Sequence, residues 1–268
     1  MSQNIKHNFH LVDHSPWPII TAFSVFYMLI GAVLYMHSFS IGNYLLPFSF
    51  FFVIASMGIW WRDVIREATF EGRHTLAVQK GIRLGMFLFI VSEIMFFFGF
   101  FWAFFHAALA PTIELGAVWP PVGIYAFNPW GVPLFNTLIL LLSGATITWV
   151  HHSILVSNRV EVFLGFIFTL TLALAFTSLQ VMEYLEASFN ISDSVYGSTF
   201  YMATGFHGFH VIVGTIFIAV SFWREYHYQF TPVLQFGFEA SAWYWHFVDV
   251  VWLFLFLTIY WWGNIATV

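Results

Sequence analysis

Seven stretches of this chain are long and apolar enough to cross a lipid bilayer, and they constrain the fold more than any motif does. They run about Trp17–Tyr35, Ile41–Trp61, Gly81–Ala108, Val132–Val150, Val160–Val181, Phe200–Trp223 and Ala240–Trp262. A spanning helix takes about 20 apolar residues. Lipid offers no partner to backbone amides, so a span must satisfy its own hydrogen bonds, and unbroken runs of this length do so as helices. Composition agrees. Only 8% of residues are charged and 60% are hydrophobic, against roughly 25% charged in soluble domains. The expected fold is an all-α membrane protein with seven transmembrane helices.

Charge placement supports that helix count. Lys6 precedes helix 1; Arg62, Arg66, Arg73, Lys80 and Arg83 lie at or near the 2–3 connection; Arg159 lies in the 4–5 connection, and Arg224 follows helix 6. All eight basic residues therefore fall on one side. The positive-inside rule puts the N-terminus inside and the C-terminus outside. Trp119, Trp130, Trp261 and Trp262 are expected at the outer interface, and Trp17, Trp60, Trp61 and Trp223 at the inner one. The organisation reads as a polar segment over 1–15, helices 1–2 within 16–62, an inner connection over 63–80, and a bundle of helices 3–7 over 81–268. The first segment carries His7, His10 and His14 and lacks the pattern of a signal or transit peptide, so insertion through the first spanning helix is expected.

Several chemistries are excluded or disfavoured. The chain has no Cys, which removes disulfides, thiolate metal centres and thioether haem attachment. A net charge of −5 offers no basic surface to nucleic acid. No phosphate-binding loop, nucleophile elbow or HExxH motif is present.

Glu93 is the sharpest candidate. It lies ten residues beyond Arg83, or about 15 Å along a helix, near mid-membrane. At helical spacing its face carries Phe89, Phe96, Phe97 and Phe100. Carboxylates at such depth are costly and commonly functional. A proton-linked role is the leading reading; the plainer one is a protonated acid that bonds to Ser92, a Thr or a carbonyl. The second candidate is an inner cluster of Trp60, Trp61, Arg62, Arg66 and Arg73 with Arg224. Such a set suits anionic lipid headgroups, although pairing with Asp63, Glu67 and Glu71 explains it as well.

The 12 histidines are weaker signals. His207 and His210, three residues apart, could face one ligand, yet a haem or copper site needs several imidazoles converging from facing helices. No metal site is expected in this chain; His106, His151, His152 and His246 are read as satisfied by helix neighbours or as lying near the interfaces. Asp249 is expected to find a partner, with His246 the nearest in sequence, and Glu183 and Glu186 are further acids near membrane depth. Gly81 with Gly85, and Gly99 with Ala103 and Ala107, suggest close helix packing.

The segments WWRDVIREATFEG (60–72), KGIRLGMFLFIVSE (80–93), FFWAFFHAALAP (100–111), WPPVGI (119–124), SDSVYGSTFYMATGFHGFH (192–210) and GFEASAWYWHFVDVVWLFLF (237–256) resemble subunit III of cytochrome c oxidase, most closely its mitochondrial form. The resemblance implies helices 1–2 and helices 3–7 separated by a V-shaped cleft that holds phospholipid. It implies lipid contacts at Trp61, Arg66, Glu67, Phe70, His74, Trp102 and Arg224, and a carboxylate facing subunit I at Glu93. It implies haem and copper in partner subunits I and II rather than in this chain, and small accessory subunits. The implied role is non-catalytic: support of proton uptake, and protection of a proton-pumping oxidase during turnover. The implied location is the mitochondrial inner membrane, with the N-terminus in the matrix and the C-terminus in the intermembrane space, or alternatively a bacterial plasma membrane. Ser194 and Val118 depart from residues common in the family, Gly and Cys respectively. Rival readings are the equivalent subunit of a quinol oxidase, a transporter gated by Glu93, a seven-helix receptor and a haem-binding membrane enzyme.

Overall fold

The structure is a computed structural model that describes residues 9–232 and 234–264. Lys6 and His7 therefore lie outside the described residues. The described chain has seven helices long and apolar enough to cross a membrane: α1 (Trp17–Met36), α2 (Gly42–Thr69), α3 (Leu76–Leu109), α4 (Val132–Leu155), α5 (Arg159–Glu186), α6 (Val195–Tyr226) and α7 (Phe236–Leu255). The last continues as a wider turn over Phe256–Trp261 and a tight one over Trp262–Asn264. The all-α, seven-helix expectation holds.

Helix ends differ most at the inner connection. α2 continues to Thr69 rather than stopping near Trp61, and α3 starts at Leu76. The apolar run marks only the part of a helix that lipid covers. Arg62, Arg66 and Glu67 are good helix formers, so the helix propagates past the apolar run into its charged tail. Gly72 then takes a left-handed conformation, φ 65°, and turns the chain. At the start of α6, Ser194 does work that glycine could not: its hydroxyl accepts the Tyr196 amide at 3.1 Å, filling a helix-start donor.

Internal contacts divide the chain into two compact units, Met1–Ile82 and Arg83–Val268. In the first, α1 lies against α2. Gly31 allows the approach, since a Cβ there would stand 2.8 Å from the Leu46 amide nitrogen and 3.0 Å from its Cα. Across this hairpin Thr21 and Ser56 hydroxyls meet at 3.1 Å, and the Trp17 indole donates to Asp63 at 2.7 Å.

The second unit is built around α7, most of whose side chains are buried against α4 and α6. Two α7 indoles donate to α4 hydroxyls: Trp245 to Ser143 and Trp252 to Thr137, both at 2.9 Å. Thr146 meets Thr169 at 2.7 Å between α4 and α5, and Tyr184 meets Thr204 at 2.6 Å between α5 and α6. Lipid tails are as apolar as leucine, so short polar contacts and close packing, not burial alone, join such helices.

Trp119, in the α3–α4 connection, is packed inside the protein: it is 2% exposed, with its ring 5.5 Å from Phe104 and 5.4 Å from Tyr196. The 111–129 connection folds back and supplies core, so the Trp joins other aromatics. Gly81, Gly85 and Gly99 pack against no helix among the described residues, because no described atom lies within 4 Å of a Cβ built at any of them. Much of α3 is uncovered, including Leu84, Leu88, Met95 and Phe98.

Gly31→Val is expected to push α1 from α2 and destabilise the hairpin by about 1–3 kcal/mol, the usual cost of overpacking. Gly58→Val, at a position with open space around it, should change little. Thermal unfolding of the purified variants compares the two, and equal midpoints would contradict the packing described.

Candidate functional site

Glu93 stands at the middle of the 34-residue α3. Its Oε2 lies 2.7 Å from Nε2 of His210 on α6, and Nδ1 of the same ring lies 2.6 Å from the Phe206 carbonyl one turn earlier. A carbonyl only accepts, so Nδ1 carries a hydrogen. With Nδ1–H committed there, the contact between Nε2 and the carboxyl needs one further proton. Either the acid donates to a neutral imidazole, or an imidazolium donates to a carboxylate. Both assignments leave the pair with one shared proton and no net charge.

The surroundings favour that neutrality. The His210 ring is 5.0 Å from Phe97, 6.2 Å from Phe96 and 6.3 Å from Tyr244, to which it is nearly parallel. Phe96 in turn meets Phe100 and Phe206 at 5.0 Å each. The His210 side chain is 8% accessible and that of Glu93 22%, so the carboxyl reaches the uncovered side of α3. Of the phenylalanines read from helical spacing, Phe96 and Phe97 pack beside the His210 ring, Phe100 beside Phe96, and Phe89 beside Tyr244. Ser92 does not contribute, because its hydroxyl donates to the Phe89 carbonyl at 2.6 Å.

His207 and His210 do not share a ligand position. His207 is turned into the core, where Nε2 lies 3.2 Å from the Val248 carbonyl and the ring packs beside Phe176 and Trp252. Asp249 approaches His246 only at 4.0 Å, while His246 Nε2 meets the Thr148 hydroxyl at 3.3 Å. Glu183 accepts the Tyr260 hydroxyl at 2.6 Å deep between α5 and the end of α7. Neither His210 as the partner of Glu93 nor this Glu183–Tyr260 contact was legible from spacing, since both join segments distant in sequence.

At the polar end of the second unit, Arg83 pairs with Glu239 at 2.9 Å, and Arg159 reaches Glu225 at 3.9 Å with its guanidinium 3.4 Å from the Tyr228 ring centre. Arg224 has no carboxylate partner among the described residues. It donates to Gln229 at 3.1 Å and covers the Phe230 ring at 4.4 Å. Trp102 is exposed, beside Phe98.

The remaining lipid-contact candidates belong to the first unit. Arg66 and Glu67 line a cavity of about 610 Å³ together with His10, His14, Trp60 and Asp63. Arg66, like Arg224, forms no ion pair with any described residue. Trp61 and Phe70 are exposed apolar surface flanking that helix end. The cavity rim is drawn together by Arg73, which bonds the Leu11 carbonyl at 3.2 Å, Asp13 at 2.6 Å and Glu71 at 2.7 Å. The hydrogen bond and charge of Arg73 hold the Asp13 carboxyl below its usual range, and Asp13 raises Arg73 in return. A depressed acid stabilises the fold at neutral pH and stops doing so as pH falls through its folded value. His74, from the α2–α3 connection, joins His10 and Glu67 in a group whose ligand atoms all lie within 4.8 Å of one another.

The sequence profile of the family described as cytochrome c oxidase subunit III matches residues 7–264. The cytochrome c oxidase subunit 3 of Chondrus crispus is 59% identical over 259 residues, covering 97% of this chain and 95% of that one. That of Marchantia polymorpha is 59% identical over 264 residues, covering 98% and 100%, and that of Anopheles gambiae 55% identical with the same coverage. With a match running almost end to end, and a set of seven apolar helices, this chain belongs to the cytochrome c oxidase subunit III family.

Proposed function

We propose that this chain is a non-catalytic core subunit of a mitochondrial, proton-pumping cytochrome c oxidase, and that it supports proton uptake and holds structural phospholipid. The observation that carries the reading is the Glu93–His210 pair. It sets an acid and an imidazole 2.7 Å apart at the middle of α3, beside aromatic rings and on a helix with much exposed apolar surface, which supports a reading in which the pair shares an exchangeable proton beside a neighbouring subunit. A hydrogen bond of this kind can hand its proton from acid to imidazole without creating net charge, which suits a group that buffers or relays protons beside a pump.

Electron transfer and oxygen reduction belong, in this reading, to haem and copper in partner subunits I and II. The deep histidines of this chain already face carbonyls, hydroxyls or a carboxyl of their own chain, which fits a supporting role. Arg66 and Arg224, two cations without carboxylate partners among the described residues, supply the charge that a phospholipid phosphate needs. Trp61, Phe70 and Trp102 supply apolar surface for acyl chains, and Glu67 and His74 polar contacts near the headgroup. The basic residues at the ends of α2, α3, α5 and α6 support, by the positive-inside rule, a reading with those ends and the N-terminus in the matrix and the C-terminus in the intermembrane space.

Glu93→Gln tests the proton role cleanly, because the amide can still donate to His210 Nε2 and keep the helices joined while the exchangeable acid proton is gone. The variant oxidase is expected to take up protons more slowly or to lose activity sooner during turnover at high pH. Unchanged values for both would remove the role. For lipid, Arg66→Ala combined with Arg224→Ala should reduce the phospholipid that co-purifies with the complex, measured by phosphorus content and mass spectrometry; undiminished lipid would count against this assignment.

A further inference from the structure

Glu183 stands near the end of α5 and is 2% exposed. No cation among the described residues forms an ion pair with it. The Tyr260 hydroxyl donates to its Oε1 at 2.6 Å, and Gln180 Nε2 donates to the Tyr260 oxygen at 3.4 Å. Two other oxygens of this trio, Glu183 Oε2 and Gln180 Oε1, are buried with no hydrogen-bond partner among the described residues. We propose that Glu183 is a proton-binding site of this chain, carrying a proton on Oε2 with Gln180 Oε1 as its acceptor.

Hydrogen counting carries the assignment. The oxygens of an ionised carboxyl and of an amide only accept. With Glu183 ionised, the trio holds two buried acceptors and no hydrogen for either. One added proton meets both needs, because it makes Oε2 a donor and gives Gln180 Oε1 its hydrogen. The two residues are three positions apart on α5 and share a helix face. The ring of bonds then closes: Glu183 O–H to Gln180, Gln180 N–H to Tyr260, and Tyr260 O–H back to Glu183. Turning the Gln180 amide over gives no better arrangement. It would set Oε1 against the Tyr260 oxygen, whose single hydrogen is already given to Glu183, leaving acceptor facing acceptor.

The surroundings oppose an ionised acid. Tyr260 is 2% exposed, and its ring lies 5.4 Å from Phe200, 5.6 Å from Trp252 and 6.5 Å from Phe127. An unpaired carboxylate in such a place takes up a proton rather than bear the loss of water. The titratable groups that sense Glu183 are phenols: Tyr184 on α5, Tyr196 and Tyr201 on α6, and Tyr260 itself. α4 has no titratable residue before His151, and the charged residues in the neighbouring connections and helix end, Glu114, Glu186 and Asp193, are all acids. Nothing among these supplies positive charge to hold the carboxyl ionised. Tyr260 arrives on the wide turn over Phe256–Trp261, a local geometry that recurs at functional positions. The chain then holds two protonated acid sites joining different helices: Glu93 links α3 to α6, and Glu183 links α5 to the end of α7.

Infrared difference spectroscopy on the assembled oxidase at neutral pH tests the site. Wild type minus Glu183→Gln is expected to show one carbonyl band of a protonated carboxyl, moved to lower frequency in deuterium oxide, with the carboxylate bands unchanged. Glu93 is intact in both samples, so its own proton cancels from the difference. Diffraction from the wild-type complex, at a resolution that separates C–O from C=O bonds, should give unequal carboxyl bond lengths at Glu183, and this measurement decides alone if the variant fails to assemble. Loss of carboxylate bands without loss of a protonated carboxyl band, or two equal bond lengths, overturns the assignment.

Discussion

A carboxyl group at the middle of a membrane helix is tolerable only if its charge is cancelled where it stands. That constraint organises the second unit of this chain. Glu93 and His210 meet at 2.7 Å, and the Phe206 carbonyl, by occupying the other ring nitrogen, obliges the pair to hold a single proton between them. An isolated carboxylate would bear the full cost of leaving water. A shared-proton pair avoids that cost and fixes α3 against α6 at a depth where lipid provides no hydrophobic pressure between helices. Phe97, Phe96 and Tyr244 pack around the His210 ring.

Elsewhere polarity is graded by depth. Between the helices many joining contacts are neutral: indole to hydroxyl from α7 to α4, and hydroxyl to hydroxyl between α4 and α5 and between α5 and α6. Full charges appear at helix ends, where Arg83 meets Glu239 and Arg159 meets Glu225. In the first unit the same rule holds at a smaller scale, with hydroxyls between α1 and α2 and a charged clamp on Arg73 beyond the helix end. Arg66 and Arg224, like Lys80, have no carboxylate partner among the described residues, and an exposed or half-buried guanidinium is well matched to phosphate.

The seven spans were legible because lipid writes its thickness directly into the sequence as runs of apolar residues. Helix ends were less so: Arg62 to Glu67 looked like connection by hydropathy yet continue α2, because a helix outlasts its apolar portion. Glu93 was legible from depth alone. Its partner was not, since His210 lies 117 positions away and resembles its neighbour His207, which points instead at the Val248 carbonyl. The burial of Trp119 was not legible either, since only the folded chain shows that its loop brings the indole against Phe104 and Tyr196. Tertiary contacts between distant segments carry no periodic signature, and those are the facts that the fold had to supply.

The shared proton can be observed directly. Neutron diffraction from deuterium-exchanged crystals of the assembled complex should reveal one deuteron on His210 Nδ1, directed at the Phe206 carbonyl, and one between His210 Nε2 and Glu93 Oε2. A bare Nδ1, or a Glu93 carboxyl turned away from the ring with no deuteron between them, would contradict the account.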